Sequence, residues 1–376
     1  MSCKLNLYEN QKIDTTKEPL FFGCARNTQR YDKNKYEQLA NLSLEMQRLF
    51  WIPEEIKLIE DDAEFKTSAT IAEVNILTKQ LQKLVMLDSL QGRTPLMIFG
   101  QLTTNPEFEA CLLEQEYFEA RIHSRSYSYI IEKVYSKNPG LIFNDTWNNT
   151  ELRKEIDTIT REYNKLYEMV IEYLYMQNKG IEPSTKFINE LKEYIFLSLV
   201  SMNILEGIRF YMGFAAIWAI NEFSQKFMGI GRILQLIARD ENKHLAFTQL
   251  LIKILKRDNN FKDIWTKIIP KVYDMYWEAS EEEIKWADVL FEKGDILGFN
   301  KEIGGQYIKF LTNWRLQSIG LKPIYPEVKE NPLRWIGKYV NLHNTEKALQ
   351  ESEEIDYISN PVKDEKVDYK NIFINL

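Results

Sequence analysis

Along most of the chain apolar residues recur every three to four positions, the spacing that turns one face of an α-helix toward a core. The pattern begins at Tyr36, and LANLSLEMQRLFW carries it to Trp51. Ile52-Pro53 ends that helix, because the residue before a proline avoids the α region. A second helix is predicted from about Ser68 to Leu90, ended by Gln91-Gly92 and Pro95. A third starts after Asn105-Pro106 and continues to Tyr135, with Asn138-Pro139-Gly140 as its stop. Glu151 to Gln177 reads as a charged amphipathic helix, closed by the turn Asn178-Lys179-Gly180. Ser184 is a candidate cap for the next helix, which begins near Thr185. Further helices span roughly Met228 to Lys256, Phe261 to Phe291 and Glu302 to Ile319, after which Pro323, Pro326 and Pro332 break any long helix. Residues 1–34 are polar and punctuated, and read as an irregular arm. From about Asn344 the chain is acidic and poorly periodic up to KNIFINL, which predicts a flexible tail with an apolar tip. The expected organisation is therefore an arm (1–34), a helical domain (35–343) and a tail (344–376), with no internal repeat and no convincing run of strands.

One stretch, Tyr194 to Ile220, is apolar enough to suggest a membrane span. Glu206 and Arg209 lie in its middle, where a bilayer charges about 2.5–3.5 kcal/mol for an ionised residue. The better reading is a helix apolar on all sides, buried at the centre of a large soluble bundle. Its Glu then needs a partner, and a metal ion or Arg209 one turn on would serve.

Composition agrees with helices. The 376 residues are 44% hydrophobic and 27% charged, outside the range of disordered chains. With 15 Gly and 11 Pro the chain has too little turn chemistry for a β-sandwich or barrel. Cys3, Cys24 and Cys111 are odd in number and widely spaced, which predicts a reducing compartment rather than disulfides or a zinc site. The opening residues resemble neither a secretory signal nor a transit peptide, so a cytoplasmic location is expected. A net charge of −7 with signs mixed throughout argues against a nucleic-acid partner.

The common nucleotide, hydrolase and zincin motifs are missing: GxxxxGK, GxGxxG, GxSxG and HExxH do not occur. What remains are carboxylates and three histidines, His123, His244 and His343. Glu241 and His244 form an E-x-x-H pair, whose side chains share a face because three residues advance about 300°. Among 55 acidic residues such a pair can arise by chance, and an exposed contact is its ordinary explanation. Three features favour a site: Glu206 inside the apolar helix, Asp88 after the apolar run LVML, and His123 with Glu119 four and Glu116 seven residues before it. Di-metal bundles take a carboxylate from each of two helices and a Glu-x-x-His from each of two others. A carboxylate-rich set with two imidazoles suits iron or manganese better than zinc or copper.

With these residues the chain resembles the small, radical-generating β subunit of class I ribonucleotide reductase, of the type found in enteric bacteria and their phages. The resemblance is carried by EPLFFG (18–23), RYDKNKYE (30–37), FWIPEE (50–55), LDSLQGRTP (87–95), IHSRSY (122–127), LEGIRFY (205–211), LIARDENKHL (236–245) and KWADVLF (285–291). It implies an all-α, ferritin-like helical bundle in which Asp88, His123, Glu206, Glu241 and His244 ligate a dinuclear iron or manganese centre, or a mixed pair, that reacts with dioxygen. By the same resemblance Tyr127 matches the tyrosine oxidised to a stable radical, against the ordinary reading of a core tyrosine. Phe210, Phe214 and Ile237 match the apolar pocket around it. Trp51 and Asp240 match a relay, with Asp240 hydrogen-bonded to a metal-bound His123. Tyr357 matches the tail tyrosine that passes the radical to a large (α) subunit, on which KNIFINL docks. A homodimer is implied as well.

One departure stands out. The family has Glu three residues before the first histidine, where this chain has Ala120; its Glu is at 119. Four residues advance about 400°, so Glu119 and His123 still share a face, and a one-residue π-bulge would achieve the same. Glu119 is thus the expected sixth ligand. The alternatives are a five-ligand site with altered metal preference, or a centre without metal in the usual way. A ferritin-like di-metal oxidase or oxygenase, acting directly on a small substrate, is the rival function. It would need neither the Tyr357 tail nor the Trp51–Asp240 relay.

Overall fold

A computed structural model of the chain describes Tyr8 and residues 13–23, 26–135 and 139–340. Among these residues every regular element is helical, and the single β contact is an isolated bridge between Ile296 and Phe299. In chain order the helices are α1 (Glu37–Arg48), α2 (Ile59–Thr67), α3 (Ile71–Gln91), α4 (Thr94–Phe99), α5 (Pro106–Tyr117), α6 (Ser124–Val134), α7 (Pro139–Thr146) and α8 (Thr150–Lys179). They are followed by α9 (Thr185–Ile204), α10 (Tyr211–Ala219), α11 (Met228–Arg257), α12 (Lys262–Leu290), α13 (Lys301–Ser318) and the short α14 (Gly337–Val340). Three π-helical turns interrupt them, at Phe118–His123, Leu205–Arg209 and Ile220–Ser224.

Local chemistry sets the ends. Thr70 and Glu73 close a capping box on α3: Glu73 N donates to Thr70 Oγ1 at 3.2 Å and Thr70 N to Glu73 Oε2 at 2.8 Å. Ser184 caps α9 by accepting from Phe187 N at 3.2 Å. Gly180, at φ 69°, ends α8 in the left-handed region that glycine enters without penalty. The apolar stretch inside Thr185–Ser224 is buried throughout, which makes it the central rod of the bundle. α8, α11 and α12 pack on α9, while α3 and α13 pack on α10. Each Leu or Ile wholly buried there contributes about 1.5–3 kcal/mol of apolar transfer. The arm is anchored as well, Leu20 and Phe21 being buried and the Phe21 ring 5.2 Å edge-on to Phe108.

Four short helices, α2, α4, α7 and α14, lie outside the sequence expectation. α2 exists for what it caps. α11 opens at Phe227, in the left-handed region at φ 56°, with no side-chain cap of its own. Asp61 Oδ1 accepts from Ile230 N at 2.8 Å and Glu64 Oε2 from Phe227 N at 2.6 Å, so two α2 carboxylates satisfy the free N–H groups of α11. Pro139, expected within a stop signal, opens α7, where its missing N–H costs nothing. The 344–376 tail with Tyr357 and KNIFINL, His343, Cys3 and Cys24 lie outside the described residues.

A buried ionic cluster joins four elements of the bundle. Lys83 (α3) contacts Glu155 (α8) at 2.9 Å and also Glu283 (α12). Arg209, in the second π turn, reaches Glu155 at 3.4 Å, Glu282 at 2.7 Å and Glu283 at 3.8 Å. Burial pushes both carboxyls upward; at Glu155 Lys83 and Arg209 outweigh it and hold the group low, whereas Glu283 stays well above the usual range. A proton retained on Glu283 balances two cations against two carboxylates in a place that cannot hold net charge.

Candidate metal centre

Four segments bring six side chains to one point inside the bundle. α3 supplies Asp88, the first π turn Glu119 and His123, the second π turn Glu206, and α11 Glu241 and His244. All six are fully buried. His123 Nδ1 lies 3.1 Å from Glu241 Oε1, 3.5 Å from Glu119 Oε2 and 4.0 Å from Asp88 Oδ2. His244 Nδ1 lies 3.0 Å from Glu241 Oε2, 3.0 Å from Glu119 Oε1 and 4.0 Å from Glu206 Oε2. Glu119 and Glu241 therefore each turn one oxygen to each histidine. The six residues resolve into two four-residue sets able to hold an ion, Asp88-Glu119-His123-Glu241 and Glu119-Glu206-Glu241-His244, which share those two carboxylates.

The π turn decides the register at Glu119 and Ala120. Ser124 N donates to Glu119 O, five residues back, so one extra residue is absorbed between Phe118 and His123. Glu119 faces inward and Ala120 is exposed. The backbone of Ala120 also lies against Gly92, where an added Cβ would sit 2.8 Å from Ala120 N and 2.9 Å from its Cα. Gly92 is thus required by close approach of the two segments.

Electrostatics mark the cluster as unfinished without cations. Burial and the Glu119 charge raise Asp88 well above the carboxylate range, and the same two causes push Glu241 up to about 8. Burial and Glu241 raise Glu206 well above its usual value. Burial acts on Glu119 too, but the two imidazoles that face it, His123 and His244, outweigh it and hold the carboxyl at about 2. Burial would lower His123, yet Glu241 and Asp240 carry it well above its ordinary value. Both oxygens of Asp88 and of Glu119, with His123 Nδ1, Glu206 Oε2 and Glu241 Oε1, lack hydrogen-bond partners, which buried polar atoms seldom tolerate. Four carboxylates and two imidazoles fit a pair of divalent cations in charge and in donor type.

The remaining predicted residues are placed as follows. Trp51 Nε1 donates to Asp240 Oδ2 at 2.8 Å, and the same oxygen stands 3.2 Å from His123 Nε2, on the side of the ring opposite the cluster. Arg239 holds the other oxygen, Oδ1, at 3.1 Å from both Nε and Nη2. Tyr127 is wholly buried four residues beyond His123, and burial with the Asp88 charge raises its phenol well above 10. Phe210, Phe214 and Ile237 are fully buried, the two Phe rings stacked 5.7 Å apart. Glu116 is only half-buried and belongs to neither set.

One sequence expectation is corrected. Arg209 does not compensate Glu206; it turns away to Glu155, Glu282 and Glu283. The groups on Glu206 are Gln91 and Gln115, both buried amides that the sequence reading passed over. Their signal was positional: Gln91 closes the LDSLQ run and Gln115 lies four residues before Glu119, each a polar residue on a core-facing stripe.

An all-helical core with two imidazoles and four carboxylates arranged as two overlapping sets defines the ferritin-like di-metal carboxylate class. Comparison with known proteins narrows this. Residues 30–332 match the family model for "Ribonucleotide reductase, small chain". The chain is 34% identical over 366 residues to the ribonucleoside-diphosphate reductase 1 subunit beta of Salmonella typhimurium, covering 95% of this chain and 96% of that one. It is 31% identical to the subunit beta of Enterobacteria phage T4, over 94% of each chain. The solved ribonucleotide reductase R2 subunit from Clostridium botulinum superposes with a TM-score of 0.76 at 30% identity, over 90% of this chain and 99% of that one. The chain belongs to the ribonucleotide reductase small-chain family, and so to an oxidoreductase that works with a large subunit.

Proposed function

We propose that Asp88, Glu119, His123, Glu206, Glu241 and His244 hold two iron or manganese ions, that Tyr127 carries the radical, and that the equivalent passes to a large subunit that reduces ribonucleotides. The observation that carries this reading is the pair of overlapping ligand sets, with Glu119 and Glu241 common to both. When bound, the metal pair with dioxygen supplies a one-electron oxidising equivalent.

The protein's own groups do the rest. Tyr127 gives up an electron together with its phenol proton, for which Asp88 is the facing carboxylate, from a site sealed against water, and burial protects the radical from reductants. Asp240 fixes the tautomer and orientation of His123 through Nε2, leaving Nδ1 for the ion. Trp51 shares that Asp240 oxygen, so an unbroken hydrogen-bonded chain runs from Trp51 to the cluster and supports its use as a radical relay. Arg239 braces this chain at Asp240 and beside Trp51, since its Nη2 also donates to Leu49 O at 2.6 Å, two residues before Trp51. Tyr357 continues the route, and the 344–376 tail docks on the large subunit. Exposed apolar side chains on α1 and α5, Leu44, Leu113 and Tyr117, with Phe50 6.4 Å from Tyr117, support a homodimer, which by likeness to the reductase subunits would act in the cytoplasm, the host's if the gene is phage-borne.

Truncation after residue 345 tests the division of labour. Reductase turnover with the large subunit should be lost while the tyrosyl signal survives. Unchanged turnover would overturn the tail's role and favour an oxidase acting alone.

A further inference from the structure

Glu206 is held differently from the other carboxylates of the cluster. Its Oε1 accepts two hydrogen bonds, from Gln91 Nε2 at 2.6 Å and from Gln115 Nε2 at 2.8 Å. Gln91 is itself oriented, because Tyr163 Oη donates to Gln91 Oε1 at 3.1 Å and so turns the amide NH2 toward Glu206. All four residues are buried, and they come from α3, α5, α8 and the second π turn. Neither oxygen of Asp88 or Glu119 has a hydrogen-bond partner, and Glu241 Oε2 engages His244 at 3.0 Å. Amides and a phenol in a dry core are costly unless they are bonded; Gln91 uses both its amide atoms and Gln115 only its NH2, and the chain of donors ends on one atom.

We propose that Gln91, Gln115 and Tyr163 are positioning residues that reserve Glu206 Oε1 for the protein and leave Oε2 as the single oxygen offered to the ion on the His244 side. Oε2 is the atom of Glu206 without a hydrogen-bond partner, and it lies 4.0 Å from His244 Nδ1. The inference rests on the dinuclear site proposed above and makes its halves unequal. The ion shared by Glu206 and His244 meets a carboxylate braced at one oxygen, which cannot swing to chelate without breaking two hydrogen bonds. The ion shared by Asp88 and His123 meets an unbraced carboxylate. The brace therefore sets affinity at one site and leaves the other untouched.

The test is titration of full-length apo-protein with Mn(II), reading free ion from its electron paramagnetic resonance signal, for the parent, Gln91→Met/Gln115→Met and Tyr163→Phe. Met keeps the length of Gln and removes the donors. The parent should bind two ions. The double variant should weaken one of them by about 10- to 100-fold, the usual effect of losing partners that orient a ligand, with the other within about 3-fold. Tyr163→Phe, a one-atom deletion that keeps the core filled, should weaken the same site by about 2- to 10-fold, the equivalent of one neutral hydrogen bond; it also carries the test if the double variant does not fold. Two ions bound at parental affinity in both variants would overturn the brace, as would equal weakening at both sites. A parent that binds fewer than two ions would overturn the dinuclear reading itself.

Discussion

Replacing Lys83 by Met removes one cation from the buried ionic cluster while nearly conserving volume. In the parent, Lys83 and Arg209 hold Glu155 below its usual pKa. Without Lys83, Glu155 keeps only Arg209 at 3.4 Å, and it must either stay charged with too little compensation or take up a proton. Breaking a buried pair costs about 3–5 kcal/mol. The protonation route caps that cost: bringing a carboxyl of ordinary pKa about 4.3 to neutrality at pH 7 takes about 3.7 kcal/mol, and only about 1 kcal/mol at pH 5. The parent's depressed Glu155 keeps its full contribution above the unfolded pKa, whereas the variant's Glu155 folds protonated and its cost falls as pH drops toward that value, so the gap between parent and variant must shrink from pH 7 to pH 5. With an unfolding entropy of about 2.1 cal/mol/K per residue, a chain of this size has about 0.8 kcal/mol/K, which converts the loss to about 4–5 °C at pH 7 and about 1 °C at pH 5. Thermal unfolding of the apo-protein by circular dichroism at the two pH values measures it. An equal drop at both, or no drop at pH 7, would refute the reasoning.

Other consequences follow from the same geometry. Glu119→Ala should abolish binding of both metal ions, and adding Ala120→Glu should not restore it, because position 120 is exposed against Gly92; recovery in metal analysis would contradict the register. Gly92→Ala places a Cβ within 3.0 Å of Ala120 N and Cα, and should cost about 1–3 kcal/mol in denaturant unfolding together with weaker metal binding. The apo-protein should lose stability from pH 5.5 to 8. Glu241, raised to about 8, contributes fully below its unfolded pKa and progressively less up to about 8, while Asp88, Glu206 and His123 are raised and act in the same sense. Glu119, at about 2, is ionised throughout that window and adds no slope. Divalent metal should reverse the trend, since binding needs deprotonated ligands; an apo melting temperature that rises with pH would contradict this.

The long helices were legible because each carries many turns of apolar periodicity, and so was the cap at Ser184. Asp88, Glu206 and the Glu241–His244 pair were legible because a carboxylate amid apolar residues, or an acid and an imidazole on one face, is chemically conspicuous. The turns that matter most were less so. A single π turn leaves almost no periodic trace, so the sequence offered Glu119 and Ala120 as rivals, and the Ser124-to-Glu119 hydrogen bond with the Gly92 contact separates them. Arg209 stood beside a metal ion as a possible partner for Glu206 because one helix shows which residues share its face but not which neighbour that face meets. Gln91 was read only as part of a helix stop and Gln115 drew no notice, although two uncharged amides on buried stripes are as informative as a buried acid. α2 was missed because its acidic residues serve the start of a helix more than 160 positions away, as the Asp61-to-Ile230 bond shows.

The central claim is that six side chains hold two metal ions beside a tyrosine that keeps a radical. Apo-protein loaded with two Fe(II) per chain, exposed to oxygen and examined by electron paramagnetic resonance should give a tyrosyl signal that Tyr127→Phe abolishes while both metals remain bound. Absence of bound metal and of any tyrosyl signal, or a signal that persists in Tyr127→Phe, would contradict it.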